Sequence, residues 1–242
     1  MNTLLALATL EGLLALAGPA GSPLRLASGP QVEFRGEGDE GSFSYEEGMA
    51  QAEAVTLIQQ VRKRIGPAHT ILRVPGRSTS FLVVGVGRAT AESRDLDGLR
   101  LMLVEKSGQG VTLLAQSSGS ADSYVLKPVV FTGSGRTIVL AETGAEYTWG
   151  LRVFEVVGRE LRDLGGIDAG VIGESGQEED PTPFARVTIA GGKVVVTFDS
   201  DLSIGTGNPG APLALKPVVF RQSATGFTLE QPRFKSAAPP AR

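Results

Sequence analysis

The sequence predicts a mainly β protein, with antiparallel meander sheets in propeller-blade-like or sandwich-like repeats and one N-terminal amphipathic helix. Two observations support this class. Short apolar or β-branched runs alternate with turns, and the chain holds 32 glycines and 14 prolines, a composition typical of many tight turns. In addition, Leu-Lys-Pro-Val-Val-Phe occurs at both 126–131 and 215–220, so the chain reuses a strand-forming unit.

The first residues bear on location. Residues 1–17 are predicted to be a signal peptide or leader, because a Leu/Ala-rich run ends in Ala15-Leu16-Ala17, a small-x-small pattern. An uncleaved leader is the alternative, since Glu11 interrupts the run and no basic residue precedes it. The run is shorter than the about 20 residues of a transmembrane helix, so no such helix is expected. We expect a periplasmic or extracellular protein, or a cytoplasmic one if the leader is not a signal.

A linker and a helix follow. Residues 18–43 are rich in Gly, Pro, Ser and Glu and are predicted to form a flexible linker, in which 31–34 is the only strand-like stretch. The helix is predicted over 45–65, with Ser44 and Glu47 as a capping box at its start. Its apolar stripe is formed by Val55, Ile58, Val61 and Ile65. Together with the strands after it, this helix defines a β-rich domain at 44–235, followed by a disordered tail at 236–242.

From residue 70 onward the pattern indicates strands separated by Gly-containing turns. The predicted strands are 70–74, 81–86, 99–105, 111–116, 124–131, 137–142, 151–157, 160–164, 186–189, 193–198, 215–220 and 226–230. Ala190-Gly191-Gly192 is the strongest hairpin signal, because glycine adopts positive φ freely. Residues 171–183 are predicted to be an acidic break between strands.

The spacing of the repeats argues against a regular closed propeller. Gly98-Leu99-Arg100 and Gly150-Leu151-Arg152 begin 150 − 98 = 52 residues apart, whereas the twin Leu-Lys-Pro-Val-Val-Phe segments begin 215 − 126 = 89 residues apart. We therefore expect an open or sandwich-like stack of sheets. Because Pro128 and Pro217 lack an N–H, each segment is predicted to start its strand at the following valine or to run along a sheet edge.

Residues 128–141, Pro-Val-Val-Phe-Thr-Gly-Ser-Gly-Arg-Thr-Ile-Val-Leu-Ala, carry a resemblance. They resemble the repeat of FG-GAP/VCBS-type bacterial proteins, in which a strand leads into a Gly-punctuated acidic loop and then an apolar strand. In that family the aspartates of the loop bind calcium. Here Thr132, Ser134 and Arg136 stand in those places, so the resemblance implies a strand arrangement without calcium in this loop.

Composition limits the chemistry. The net charge is −3 with both signs spread along the chain, so we expect no nucleic-acid partner. Without cysteine there is no disulfide and no thiolate nucleophile or metal ligand. His69 is the single histidine and no Gly-x-Ser-x-Gly motif accompanies it, so we expect it to have no catalytic role.

Carboxylates and aromatic residues remain as candidates. Asp95 with Asp97, and Asp199 with Asp201, each flank one residue and could converge on a calcium ion in a turn. Glu178-Glu179-Asp180 is a third acidic cluster. Tyr147 and Trp149 are candidate contacts for a carbohydrate or protein.

The leading functional hypothesis is a non-catalytic exported β-repeat protein that serves as an interaction or structural module of the bacterial envelope. It needs no cofactor. One alternative is a carboxylate-dependent hydrolase acting on a glycan, with Asp199, Asp201 or the 178–180 cluster in its site. The other is a calcium-stabilised binding domain. Three or more acids in one cleft would favour the enzyme, and acids on separate turns would favour the binding module.

Overall fold

The structure is a computed structural model. It describes residues 21–35, 42–86, 98–108, 110–119, 125–145, 148–172, 178–204, 211–213 and 216–230, with the backbone alone at 30–35, 145, 148–149, 178 and 211–213. The predicted leader at 1–17 and the predicted tail lie outside the described residues, as do Asp95, Asp97 and Tyr147.

The chain is mainly β with one α-helix in its described part, as predicted. The helix, α1, spans Gln51–Arg64. The strands, numbered β1 to β20 in chain order, are Ser22–Pro23, Arg25–Ser28, Pro30–Arg35, Ser42–Glu46, Ala68–Arg73, Ser80–Gly85, Arg100–Ser107, Gly110–Gln116, Val125–Gly133, Arg136–Ala145, Thr148–Val157, Glu160–Ile167, Ala169–Ile172, Glu178–Glu179, Ala185–Ala190, Lys193–Phe198, Leu202–Ile204, Ala211–Leu213, Val218–Gln222 and Phe227–Leu229.

The strands form four sheets. The first has the order β3-β4-β5-β6-β7-β8 and the second β12-β11-β10-β9-β2. The third has the order β1-β15-β16-β19-β20, and the small fourth sheet has the order β14-β13-β17-β18. Neighbouring strands are antiparallel except β4 and β5, which run parallel because α1 connects them as a crossover.

The helix and the sheets stack in layers, with one apolar core between the helix and the first sheet and two between sheets. Helix α1 packs on the outer face of the first sheet through Ala54, Leu57, Ile58 and Val61. The inner face of that sheet packs against the second sheet, where Leu82 and Leu103 lie in one core with Val139 and Phe154. The other face of the second sheet supplies Ile138 and Leu140 to a core shared with the third and fourth sheets. The open stack follows from strands that are apolar on both faces.

The helix begins later than predicted. Ser44 is not a helix cap, because it lies in β4, where it pairs with Glu33 on one side and Thr70 on the other. The N-cap is Ala50, with no side-chain capping bond. Strand pairing at 42–46 buries Phe43 and Tyr45, and this tertiary contact outweighs the local capping signal.

Arg73 connects α1 to the first sheet. Its guanidinium lies 2.9 Å from Glu53 on the helix and 3.5 Å from Glu46, measured from nitrogen to carboxylate oxygen. Glu46 also accepts a hydrogen bond from the Arg73 amide at 2.9 Å. The guanidinium stands 5.3 Å above the ring of Phe81. The residues are partly shielded from water, so this network holds the helix in register on the sheet.

Residues 22–35, called the crossing segment below, do not form the predicted flexible linker. β1 pairs with β15 of the third sheet, β2 with β9 of the second and β3 with β4 of the first. Leu24, between β1 and β2, is buried and donates its amide to the Val187 carbonyl at 2.9 Å. The segment therefore crosses the stack and adds an edge strand to three sheets in succession.

The twin Leu-Lys-Pro-Val-Val-Phe segments lie in different sheets. In β9 the strand runs through Pro128, which pairs with Ala141 on β10 and lies beyond the last residue paired with β2, so this part of β9 is a sheet edge. In the second copy β19 begins at Val218, directly after Pro217. The first copy thus runs along a sheet edge and the second starts its strand after the proline, so each copy shows one of the two predicted alternatives. Phe131 and Phe220 reach the same core.

Candidate functional site

Glu142 is a buried carboxyl in the interior of the stack. It follows Ile138 and Leu140 at alternate positions of β10, so it faces the core shared with the third and fourth sheets. The residue has no solvent exposure. Lys127, its cross-strand partner on β9, places its ammonium nitrogen 3.3 Å from the Oε2 of Glu142, while most of the lysine side chain stays in solvent.

Asp180 is the second carboxylate of this site. It follows β14 and precedes a short 3₁₀ turn, Thr182–Phe184, that lies against β10. Its Oδ1 accepts the backbone N–H of Thr182 at 2.8 Å and a short hydrogen bond from the Thr182 hydroxyl. Because Thr182 is buried, this turn holds the Asp180 carboxylate beside Glu142.

Glu142 binds a proton near neutral pH. Burial, followed by the negative charge of Asp180 and a hydrogen bond to it, raises the pKa of Glu142 to about 7, against a smaller opposing effect of Lys127. In the described part of the chain no donor forms a well-oriented hydrogen bond with either Glu142 oxygen, so the Lys127 contact is an ion pair. A protonated Glu142 can itself donate to Asp180, which removes the repulsion between two carboxylates.

This geometry limits what the pair can do. A retaining glycosidase separates its two carboxyls by about 5 Å so that a sugar bond fits between them. Glu142 and Asp180 are instead close enough for the charge of Asp180 to raise the pKa of Glu142, and Glu142 has no surface for a substrate to reach. The pair can therefore bind and release a proton between two packed elements, and its effect is on stability.

Of the acidic residues singled out in the sequence, Asp180 belongs to this pair, and the described residues Asp199 and Asp201 are each paired with a cation. Asp199 is 2.6 Å from the guanidinium of Arg186, and Asp201 is 2.9 Å from the ammonium of Lys216. The described residues contain no group of three or more acidic or histidine side chains suited to a metal. Calcium binding stays a prediction, because Asp95 and Asp97 lie outside the described residues.

Glu142 itself was missed by sequence reasoning. Its signal is a single acid at the end of the apolar run 138–141, on a strand whose alternation points it inward. Asp180 was noticed only as part of the cluster 178–180, whose first two members form the edge strand β14. Their closeness depends on the packing of β10 against the 3₁₀ turn, which neither local sequence indicates.

His69 lies in β5 with its side chain partly buried. Its Nδ1 lies 3.1 Å from the Thr70 hydroxyl. The Thr70 hydroxyl also contacts the hydroxyl of Ser44, on the neighbouring strand β4. Burial and, secondarily, the positive charge of Arg62 lower the pKa of His69, so the ring is neutral at pH 7.

A groove lies where the end of α1 meets the edge strand β8. It has a volume of about 420 Å³ and is lined by Arg64, Ile65, Val111, Thr112 and Leu113. Arg64 covers the backbone of Gly110, where a Cβ atom would stand 2.2 Å from the guanidinium carbon. Trp149 is in β11 with its backbone paired to Gly144, away from this groove in the second sheet.

Comparison with known proteins found no matching family model, no matching curated protein and no matching solved structure. Within the described ranges, no helix has the length and apolar character needed to cross a membrane.

Proposed function

We propose that this chain is a non-catalytic, exported β-repeat module that binds a protein or carbohydrate partner in the bacterial envelope. The observation that carries the proposal is the uncharged edge strand β8 with its adjoining groove. Natural proteins usually protect sheet edges with charges, bulges or covering elements. β8 has a bulge at Leu114 but no charged residue, so its regular stretch 111–113 is the part of the edge available for pairing.

The distribution of acidic groups supports the same proposal. Asp199 and Asp201 are each paired with a different cation on the surface, and Glu142 is enclosed in the stack. Acids on separate elements favour a binding module over a glycan hydrolase. The resemblance of 128–141 to FG-GAP/VCBS repeats is part of the proposal.

Export is tested with a fusion of the chain to alkaline phosphatase, an enzyme that requires disulfides and is active only outside the cytoplasm. We expect active phosphatase from the full-length fusion and none when residues 1–17 are deleted. Equal activity of the two fusions would contradict export through this leader.

Binding is tested by cross-linking an epitope-tagged chain in growing cells and isolating the adducts under denaturing conditions. The module hypothesis predicts a discrete adduct with one partner. The hydrolase alternative is tested in parallel on cell-wall and storage glycans with the wild type, Glu142→Gln and Asp180→Asn. Glycan cleavage that both substitutions abolish would overturn the non-catalytic assignment.

A further inference from the structure

We propose that β8 binds an extended, acidic peptide segment of a partner protein by strand addition at the edge of the first sheet. This inference rests on the proposed function and deepens it, because it assigns the binding module a site and a class of partner. It is carried by three features of the described residues: the composition of β8, the direction of its backbone groups and the charge beside it.

Composition distinguishes β8 from the other long edges. The described edge strands of five or more residues are β3, β8 and β12. β3 contains Glu33 and Arg35, and β12 contains Glu160, Arg162 and Asp163. β8 is Gly-Val-Thr-Leu-Leu-Ala-Gln and contains no charged residue. It therefore lacks the charge protection that the other two edges have.

The backbone of β8 offers hydrogen-bonding groups to a further strand. Lys106, opposite Val111 in the ladder, donates its amide to the Thr79 carbonyl at 2.8 Å, away from β8. The Lys106 and Val111 pair is thus a non-hydrogen-bonded pair, in which Val111 directs its own N–H and C=O away from β7. By alternation, Thr112 faces β7 with its backbone groups and Leu113 again faces the free edge.

Side chains and charge beside the edge favour an acidic peptide. The groove next to Val111 and Leu113 is large enough for side chains of an added strand. It is flanked by the last turn of α1, with the sequence Arg62-Lys63-Arg64, in which Lys63 and Arg64 are exposed. Glu105, the nearby acid on β7, faces Arg159 at 3.4 Å. The net charge beside the groove is therefore positive, which attracts carboxylates.

Two of the probes are ten-residue peptides, one of alternating valine and aspartate and the other of alternating valine and lysine. The third probe is the aspartate peptide with N-methyl groups on the backbone amides that would pair with β8. Binding to the full chain is measured by fluorescence anisotropy at low and high salt. We expect the aspartate peptide to bind at least about tenfold more tightly than the lysine peptide, and both salt and N-methylation to weaken it.

Variants locate the site. Thr112 is exposed, so Thr112→Asp and Thr112→Lys are a matched pair that changes the charge of the edge without disturbing the core. We expect Thr112→Asp to weaken binding about tenfold and Thr112→Lys to maintain or strengthen it. Leu113→Pro, which removes an outward-facing amide, is expected to weaken binding too. Arg162→Glu on β12 is the control and is expected to have no effect.

Three results would overturn the proposal: no preference for aspartate, undiminished binding of the N-methylated peptide, or equal affinities of the two Thr112 variants. A fourth result would come from sedimentation. If the chain self-associates and Thr112→Asp abolishes this self-association, the edge strand β8 binds a second copy of the chain and not an acidic peptide. If the cellular adduct persists unchanged in Thr112→Asp, the site assignment fails while the proposed function stands. If cross-linking in cells gives no adduct at all, the proposed function is wrong.

Discussion

Replacing Glu142 by glutamine is expected to stabilise the protein at neutral and alkaline pH. Glutamine retains the shape of the side chain and can donate from its amide to Asp180, but it carries no charge that burial would penalise. The ion pair with Lys127 is lost, which matters little because that lysine side chain is largely in solvent. The substitution therefore removes the unfavourable ionisation of a buried acid.

The magnitude follows from proton linkage. Glu142 has its pKa raised from 4.5 to about 7 in the folded state, so between these values the folded chain holds a proton that the unfolded chain releases. The free energy of unfolding consequently falls as pH rises through this window, by up to about 1.4 kcal/mol per pH unit. Above pH 7 the loss levels off at about 3 kcal/mol, and below 4.5 it vanishes.

The assay is urea denaturation followed by circular dichroism at pH 5, 6, 7 and 8. We expect Glu142→Gln to exceed the wild type in unfolding free energy by an amount that grows by about 2 to 3 kcal/mol from pH 5 to pH 8. Glu160→Gln, a change of the same kind at an exposed position of β12, is the control and should follow the wild type. A constant difference between Glu142→Gln and the wild type across this range would refute the linkage argument.

Four further predictions follow from other contacts. Asp180→Asn should lower the pKa of Glu142, as measured by carboxyl NMR titration, yet leave it above 4.5 because burial is the largest cause of the shift; an unchanged value would contradict the pairing. Leu57→Ala, in the helix core, should reduce the unfolding free energy by about 2 to 5 kcal/mol in urea, whereas a loss below 1 kcal/mol would mean that α1 is not packed as described. Gly192→Val should lower stability by about 1 to 3 kcal/mol in the same assay, since φ is +76° there, and a neutral effect would exclude this turn. Calcium should change the thermal midpoint of Asp199→Asn by the same amount as that of the wild type, because Asp199 and Asp201 are already paired with cations, and a calcium effect that this substitution abolishes would show a calcium site there.

Local patterns predicted the hairpins well. The strand Lys193–Phe198 has the predicted bounds, and Gly191 and Gly192 adopt positive φ in the turn before it. Such elements are specified by turn chemistry and alternation within a few residues, and these signals are complete in the sequence.

Elements stabilised by distant partners could not be predicted in this way. Ser22 pairs with Ile189, so the strand character of the crossing segment depends on chain that folds far along the sequence. The acidic break contains strands for the same reason, since β13 pairs with β17. Tertiary pairing also decided the start of α1, where burial of Tyr45 in β4 outweighed the capping signal at Ser44.

The candidate site shows the same limit. Glu142 and Asp180 are 180 − 142 = 38 residues apart, and the 3₁₀ turn brings them together only after the second sheet has packed against it. The free edge of β8 depends on the order of the strands in the first sheet, which a run of seven uncharged residues does not specify. The sequence therefore identified which residue types could act, but it could not show that Glu142 lies beside Asp180 or that β8 lies at a sheet edge.

The most direct test of the binding module is site-specific photo-crosslinking in growing cells. A benzophenone amino acid is placed at position 112 on β8 and, in a second strain, at position 162 on β12. We expect a discrete adduct of higher mass with the residue at 112 and none at 162. The same pattern at both positions, or the free chain alone at 112, would contradict it.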